Sequence, residues 1–178
     1  MTPSRLHTPV IGLVGWKNSG KTTLAVRLIE EFTRRGLAVA SIKHTHHEFE
    51  FGDPGTDSAR HLRAGAGEVA LVGKERWAIV HELRPETEPA LDEILARLSP
   101  CDLVIVEGYK SANIPKIEVR RTAQPDRRVL APHDGMIVAV AADHEPEHAS
   151  LPLFHLDDIR GIARFIVETV GVAVHAKR

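Results

Sequence analysis

The sequence predicts an α/β fold, a mainly parallel sheet with helices on both faces. Three observations predict it. Short apolar runs alternate with segments of helical periodicity. A glycine-rich turn joins the first run to the first helix. The chain has 178 residues, 43% of them hydrophobic, enough to bury a core without disulfides or a structural metal.

Val10, Ile11, Gly12, Leu13 and Val14 form an apolar run that ends at Gly15, as a buried parallel strand does. In 21–35, Leu24, Leu28, Ile29 and Phe32 share one face of an amphipathic helix, which Gly36 ends. Residues 39–43 read as a second strand, so the first three elements make a βαβ unit with a right-handed crossover. The stretch 44–56 is polar, glycine-bearing and too long for a tight turn, which marks it for function. Asp57 is placed to cap a short helix through Ala64, stopped by Gly65. Residues 69–72 are strand-like. In 76–83, Trp77, Ile79, His81 and Leu83 alternate with mixed neighbours, as in an exposed or edge strand. Residues 89–98 read as a helix with Pro89 in its first turn. The most β-like run is 103–106, between Asp102 and Glu107; 116–120 and 137–142 are two further strands. An amphipathic helix over 157–170 opens on Asp157 and Asp158. With no repeat, low-complexity tract or linker, 1–178 reads as a single nucleotide-binding domain.

The chain carries 23 basic and 24 acidic side chains, a net charge of −1. That balance argues against a nucleic-acid coat or a polybasic membrane anchor, both of which need a basic excess. Cys101 is the single cysteine, which excludes an internal disulfide and a cysteine zinc cluster; it reads as a buried thiol. Residues 1–9 lack the apolar stretch of a signal peptide, and no run is long enough to span a bilayer. The expectation is a cytoplasmic protein.

Gly15, Trp16, Lys17, Asn18, Ser19, Gly20, Lys21 and Thr22 fit G-x-x-x-x-G-K-[ST] at every fixed position. The glycines let the backbone curl until consecutive N–H groups point at one anion, and the helix that follows adds its positive end. Lys21 is placed for the β- and γ-phosphates and the Thr22 hydroxyl for Mg²⁺. The fold is therefore P-loop NTPase-like. The candidate nucleotide-binding residues are Gly15, Asn18, Ser19, Gly20, Lys21, Thr22 and Thr23. Lys17 reads as a solvated loop residue.

Such a site needs a carboxylate at the end of a neighbouring buried strand. Glu107 supplies one at the right end of 103–106, whereas Asp102 stands at the wrong end. Thr22, Glu107 and Asp57 are the candidate Mg²⁺ residues, with Asp53 as a further acidic candidate. His44, His46 and His47 invite a transition-metal reading, set against the commoner case of exposed loop histidines. Asp143 stands where the aspartate of N/T-K-x-D would accept from guanine N1–H and its amine, with Val140 and Ala141 at the other two positions. Asp143 therefore points to GTP rather than ATP.

Four segments together resemble the MobB family, the molybdopterin-guanine dinucleotide biosynthesis adaptor proteins. They are 15–23, Lys43-His44-Thr45-His46-His47, Pro54-Gly55-Thr56-Asp57-Ser58 and Val106-Glu107-Gly108-Tyr109-Lys110. The similarity spans roughly 10–120. It implies a GTP-binding homodimer with at most slow GTPase activity. It also implies a partner guanylyltransferase, MobA-like, that attaches GMP to molybdopterin, with molybdopterin itself a further candidate contact.

Two other readings share the phosphate loop. A metallochaperone GTPase for nickel enzymes would use the histidines. A small-molecule kinase would use an arginine-rich lid, for which Arg120, Arg121, Arg127 and Arg128 are the nearest residues, although they read as a solvated basic turn. Slow hydrolysis fits the absence of a glutamine placed to orient water: Gln124 lies in that arginine-flanked loop. Arg60 and Arg63 are the arginines that could approach a γ-phosphate. The strand 76–83 is the candidate dimerisation strand, because its apolar side chains would otherwise line an unpaired edge.

Overall fold

The computed structural model describes residues 8–45, 55–124, 128–145 and 150–173. In chain order the elements are β1 (Val10–Val14), α1 (Lys21–Arg34), β2 (Val39–Lys43), α2 (Asp57–Arg63), β3 (Glu68–Val72) and β4 (Trp77–His81). There follow α3 (Leu91–Arg97), β5 (Leu103–Glu107), β6 (Lys116–Arg120), β7 (Ile137–Ala142), β8 (Leu153–His155) and α4 (Ile159–Val170). The chain gathers into two compact units, Met1–His44 with Leu95–Arg178, and Thr45–Ile94.

The first unit is built on a six-stranded sheet in the order β2-β5-β1-β6-β7-β8, with every pairing parallel. Helices flank it, as the alternating sequence predicts. Successive strand residues point to opposite faces, so Leu103 and Ile105 of β5 join one core with Ile11, Leu13, Ile117 and Val119. Val104 and Val106, equally buried, belong to the other face. Leu24, Leu28 and Phe32 of α1 and Ile162 and Ile166 of α4 close the same core. Burying side chains such as Leu28 and Phe32 contributes about 1.5–3 kcal/mol each. Asp158 caps α4 by accepting from the Gly161 N–H at 2.9 Å.

β8 and a short 3-10 turn at Ala131–His133 are not foreseen in the sequence; three residues are too few to show a period. The polar face of β6 is a second surprise. Lys116 and Glu118 are almost wholly buried. Lys116 Nζ pairs with Asp134 at 2.6 Å and donates to the carbonyls of Lys110 and Ala112. Glu118 accepts from the N–H groups of Leu130 and Ala131 and pairs with Arg120 at 2.7 Å. A buried charge costs several kcal/mol unless it is paired and hydrogen-bonded, and both of these are. Their effect is to fasten the segment after Arg128 onto the sheet. Gln124, expected in an exposed loop, is buried as well. Cys101 is half-buried rather than buried, and that burial pushes its thiol pKa up.

The second unit holds α2 and the hairpin of β3 and β4. Thr56, not Asp57, caps α2: its hydroxyl accepts from the Ala59 N–H at 3.4 Å. Asp57 becomes the first helical residue, where its charge suits the positive helix end, and it pairs with Arg60 at 3.3 Å. β3 and β4 pair antiparallel, with Ala70 opposite Ile79 and Leu71 opposite Ala78. Arg84 donates to the carbonyls of Leu62, Gly65 and Ala66, tying the end of α2 to the chain after β4. Among the described residues, no helix is long and apolar enough to cross a membrane.

Candidate nucleotide site

Parallel strands with short connections to helices gather their carboxyl ends along one edge, and ligands bind there beside the strand where the order reverses. Here that strand is β1, with β5 on one side and β6 on the other. The loop 15–20 leaves β1 at this edge and opens α1. Its backbone is possible only with glycine at its start. Gly15 has φ +152°, and a β-carbon there would stand 2.5 Å from the Val119 carbonyl oxygen and 2.6 Å from Ser19 Oγ. Asn18 and Gly20 also take positive φ, 65° and 94°. Ser19 is fully buried, and the N-cap of α1 is Gly20, which has no side chain to cap the helix. The first-turn N–H groups of α1 are thus left for an anion.

Lys21 lies back across the loop, donating to Trp16 O at 2.7 Å and Gly15 O at 3.1 Å, with Ser19 Oγ at 3.5 Å. Burial pushes its pKa down; Glu107 opposes the shift, and Lys110 and Lys43 add to it. Among the described residues, Lys21 has one carboxylate, Glu107, and two further ammonium groups, Lys110 and Lys43, as its charged neighbours, a positive balance that suits a polyphosphate.

Thr22 and Glu107 meet. The Thr22 hydroxyl donates to Glu107 Oε1 at 2.7 Å, although 85 residues separate them. Adjacent oxygen ligands of an octahedral Mg²⁺, each at about 2.1 Å from the ion, stand about 3 Å apart. The pair therefore fits a hard divalent cation in donor type and in spacing. Thr23 is exposed on the first turn of α1, and Lys17 is exposed as expected. Asp102, at the far end of β5, accepts from the Ala38 N–H at 2.7 Å.

Asp143 stands just beyond β7. Its Oδ1 accepts from Thr122 N at 2.7 Å and Thr122 Oγ1 at 2.9 Å, and lies 2.9 Å from His144 Nδ1. Burial raises this carboxyl's pKa, but the bonds from His144 and Thr122 outweigh it and hold it at about 2. Asp57, Arg60 and Arg63 belong to the second unit. His46, His47, Asp53 and Arg127 lie outside the described residues.

Four residues of this edge are named in the sequence reading but given no role at the nucleotide site. Lys43 ends β2 in register with Glu107, its ammonium 3.3 Å from both Glu107 Oε1 and Thr22 Oγ1. Arg121, dismissed as part of a basic turn, lies against Gly20, its Nε 3.2 Å from where a β-carbon would stand. Lys110 and Arg128 stack on Trp16 at 3.8 and 4.2 Å from its ring centre, and Trp16 Nε1 donates to Arg128 O at 2.7 Å. Strand order was the only signal for Lys43 and Arg121: each stands at or just past the carboxyl end of a strand adjoining the site. Lys110 was marked only by its place in the Glu-Gly-Tyr-Lys segment, and Arg128 only as a lid candidate. The Glu-Gly-Tyr-Lys and Lys-His segments also pack together. His44 stacks on Tyr109 at 4.3 Å and donates its N–H to Glu107 O, so close that a β-carbon on Gly108 would lie 2.9 Å from that of His44.

A family model described as molybdopterin guanine dinucleotide synthesis protein B, MobB, matches residues 10–143. The chain belongs to the MobB family. The molybdopterin-guanine dinucleotide biosynthesis adapter protein of Escherichia coli is 35% identical over 165 residues, covering 90% of this chain and 92% of that one. The adapter protein of Haemophilus influenzae is 38% identical over 159 residues, covering 89% and 87%. Among solved structures, a crystal structure of molybdopterin-guanine biosynthesis protein B superposes with a TM-score of 0.69 at 29% identity, over 91% of this chain and 99% of that one. The MobB homologue of Bacillus stearothermophilus gives 0.68 at 27% identity, over 92% and 99%. The match of 10–143 contains the whole loop edge, from Gly15 to Asp143.

Proposed function

We propose that this MobB-type accessory protein of molybdopterin-guanine dinucleotide biosynthesis binds GTP with Mg²⁺ and works as a cytoplasmic homodimer beside a MobA-like guanylyltransferase. The observation that carries the nucleotide reading is the meeting of Thr22 and Glu107 at the mouth of the glycine loop. In this reading the loop amides and Lys21 hold the phosphates, with Lys21 exchanging its bonds to Gly15 and Trp16 for bonds to phosphate oxygens. Thr22 and Glu107 are the residues proposed for Mg²⁺, whose charge offsets that of the phosphate oxygens. Asp143 reads the guanine edge through Oδ2, since Oδ1 is engaged by Thr122. Hydrolysis is slow in the isolated protein, because phosphoryl transfer needs an oriented water and a further positive charge that a partner would supply. Molybdopterin is a candidate contact, and the cleft of about 430 Å³ beside Lys110, Asn113 and His133 is the surface to test for it. The homodimer is proposed through β4, whose Trp77 and Ile79 are exposed.

A titration of GTP and ATP with and without Mg²⁺ tests the reading. GTP should bind more tightly, and Asp143→Asn should weaken GTP and narrow the preference. Equal affinities in the parent protein would remove the role of Asp143, and no binding of either would remove the nucleotide reading.

A further inference from the structure

We propose that Lys43 is a stand-in cation of this site, resting between Thr22 and Glu107 in the place a divalent ion would take and turning to the triphosphate when displaced. The inference rests on the nucleotide reading and adds a residue to it. The geometry is a small triangle. Thr22 Oγ1 and Glu107 Oε1 are 2.7 Å apart, and Lys43 Nζ is 3.3 Å from each. A tight ammonium–carboxylate bond is about 2.7–2.9 Å long. The ammonium instead spans both oxygens at the long end of the range, as a cation shared between two ligands does.

Its position is set by strands rather than by a loop. Lys43 and Glu107 are register partners in the parallel pairing of β2 with β5, so their side chains leave the sheet on the same face. The opposing carboxylate is mostly shielded, the Glu107 side chain being 13% exposed, whereas that of Lys43 is 59% exposed. A shielded carboxylate needs a counter-charge when no divalent ion is near. Lys43 supplies it. Lysine also suits the exchange, because its flexible stem can carry three donors to a new partner without moving the backbone. Lys21 cannot take this part while it is closed onto the carbonyls of Gly15 and Trp16.

Two consequences follow with opposite signs. An ammonium beside the cation position repels Mg²⁺, so Lys43 raises the Mg²⁺ concentration the site needs. The same ammonium neutralises phosphate when Mg²⁺ is scarce, so Lys43 supports Mg²⁺-independent binding. The test is a titration of a fluorescent GTP analogue against the parent protein, Lys43→Met and Lys43→Arg, from chelator-treated buffer to millimolar Mg²⁺. Lys43→Met should lower the half-saturating Mg²⁺ by about three- to tenfold, the scale of removing one like charge at this range in a solvated site. It should also weaken binding in chelator by about threefold or more. Lys43→Arg keeps the charge and should hold both values near those of the parent. A parent that binds the analogue with a Mg²⁺ dependence unchanged in Lys43→Met overturns the stand-in role alone. A parent that binds no analogue at any Mg²⁺ concentration overturns the nucleotide reading, and this inference with it.

Discussion

β5 and β4 are strands of five residues each, Leu-Val-Ile-Val-Glu and Trp-Ala-Ile-Val-His, with similar apolar content. β5 is paired on both edges, with β1 and β2, and its first four residues are buried. Among the described residues, β4 is paired only with β3; Trp77 and Ile79 stay 68% and 55% exposed, beside Val72 of β3 at 82%. Intrinsic strand preference cannot separate the two, because burial is decided by what packs on each edge and face. A strand held on both edges fixes the backbone that carries the charged group at its end, as β5 does for Glu107. A strand held on one side presents apolar surface and an unpaired edge, the usual mark of an interaction site. One strand carries Glu107 at the end of its buried run, and the other leaves apolar surface exposed.

Several substitutions would break or sharpen that contrast. The largest effect is expected at Ile105, whose truncation to alanine leaves a cavity in the common core. Denaturant unfolding should show Ile105→Ala losing about 2–5 kcal/mol, whereas Ile79→Ala in dilute protein should stay within about 0.5 kcal/mol. Comparable losses at the two positions would mean that β4 is covered within its own chain.

Lys21→Ala comes next. Loss of charge-assisted bonds to phosphate, at about 1.5–3 kcal/mol each, should weaken triphosphate binding by about 10- to 100-fold. Self-association should be untouched, since Lys21 is on the chemical edge and not on β4. Triphosphate binding at parental strength in this variant would remove the loop from the site.

Smaller again, Trp77→Ser with Ile79→Ser should weaken a homodimer by about tenfold or more, the scale of re-exposing one large apolar side chain. Sedimentation velocity across a concentration series reads this directly, and a parent protein that is monomeric throughout would take β4 out of the dimer proposal.

The least effect is in pH dependence, where the two regions should move in opposite directions. Hydrogen bonds donated to Glu68, then to Glu86, raise the His81 pKa above its ordinary 6.5. The stability this adds to the hairpin is complete below that value and lost as pH rises through the folded pKa. Asp143, held at about 2 against an ordinary 3.8, stabilises the other region above that ordinary value and loses its effect as pH falls toward 2. Amide-exchange protection of β3 and β4 should therefore drop between mildly acidic and mildly alkaline pH, and His81→Gln should flatten the change. An unchanged slope in that variant would place the titrating group elsewhere.

Much of the architecture was legible in the residues themselves. The strands at Val10, Val39, Leu103, Lys116 and Ile137 are long apolar or alternating runs, and each lies where its pattern puts it. The glycine loop was legible because its backbone geometry demands glycine at fixed spacing, and the place of Glu107 because it ends the most apolar strand run. β8 was not legible, since three residues carry no period. Nor was the cap of α2, where Thr56 and Asp57 are both good capping residues and only the backbone chooses between them.

What the sequence determined alone is therefore whatever depends on neighbours along the chain: helix faces, strand runs and the phosphate loop. Tertiary structure decided what depends on neighbours across the sheet. Lys116 and Glu118 of β6 are charged residues, yet they are buried because Asp134 and the amides of Leu130 and Ala131 come from elsewhere to satisfy them. Lys43 reads as an ordinary strand-end lysine until the pairing of β2 with β5 sets it opposite Glu107. The physical reason is the same in both cases. A charge acquires its role from the groups within a few ångströms of it, and in a parallel sheet those groups are tens of residues away in sequence.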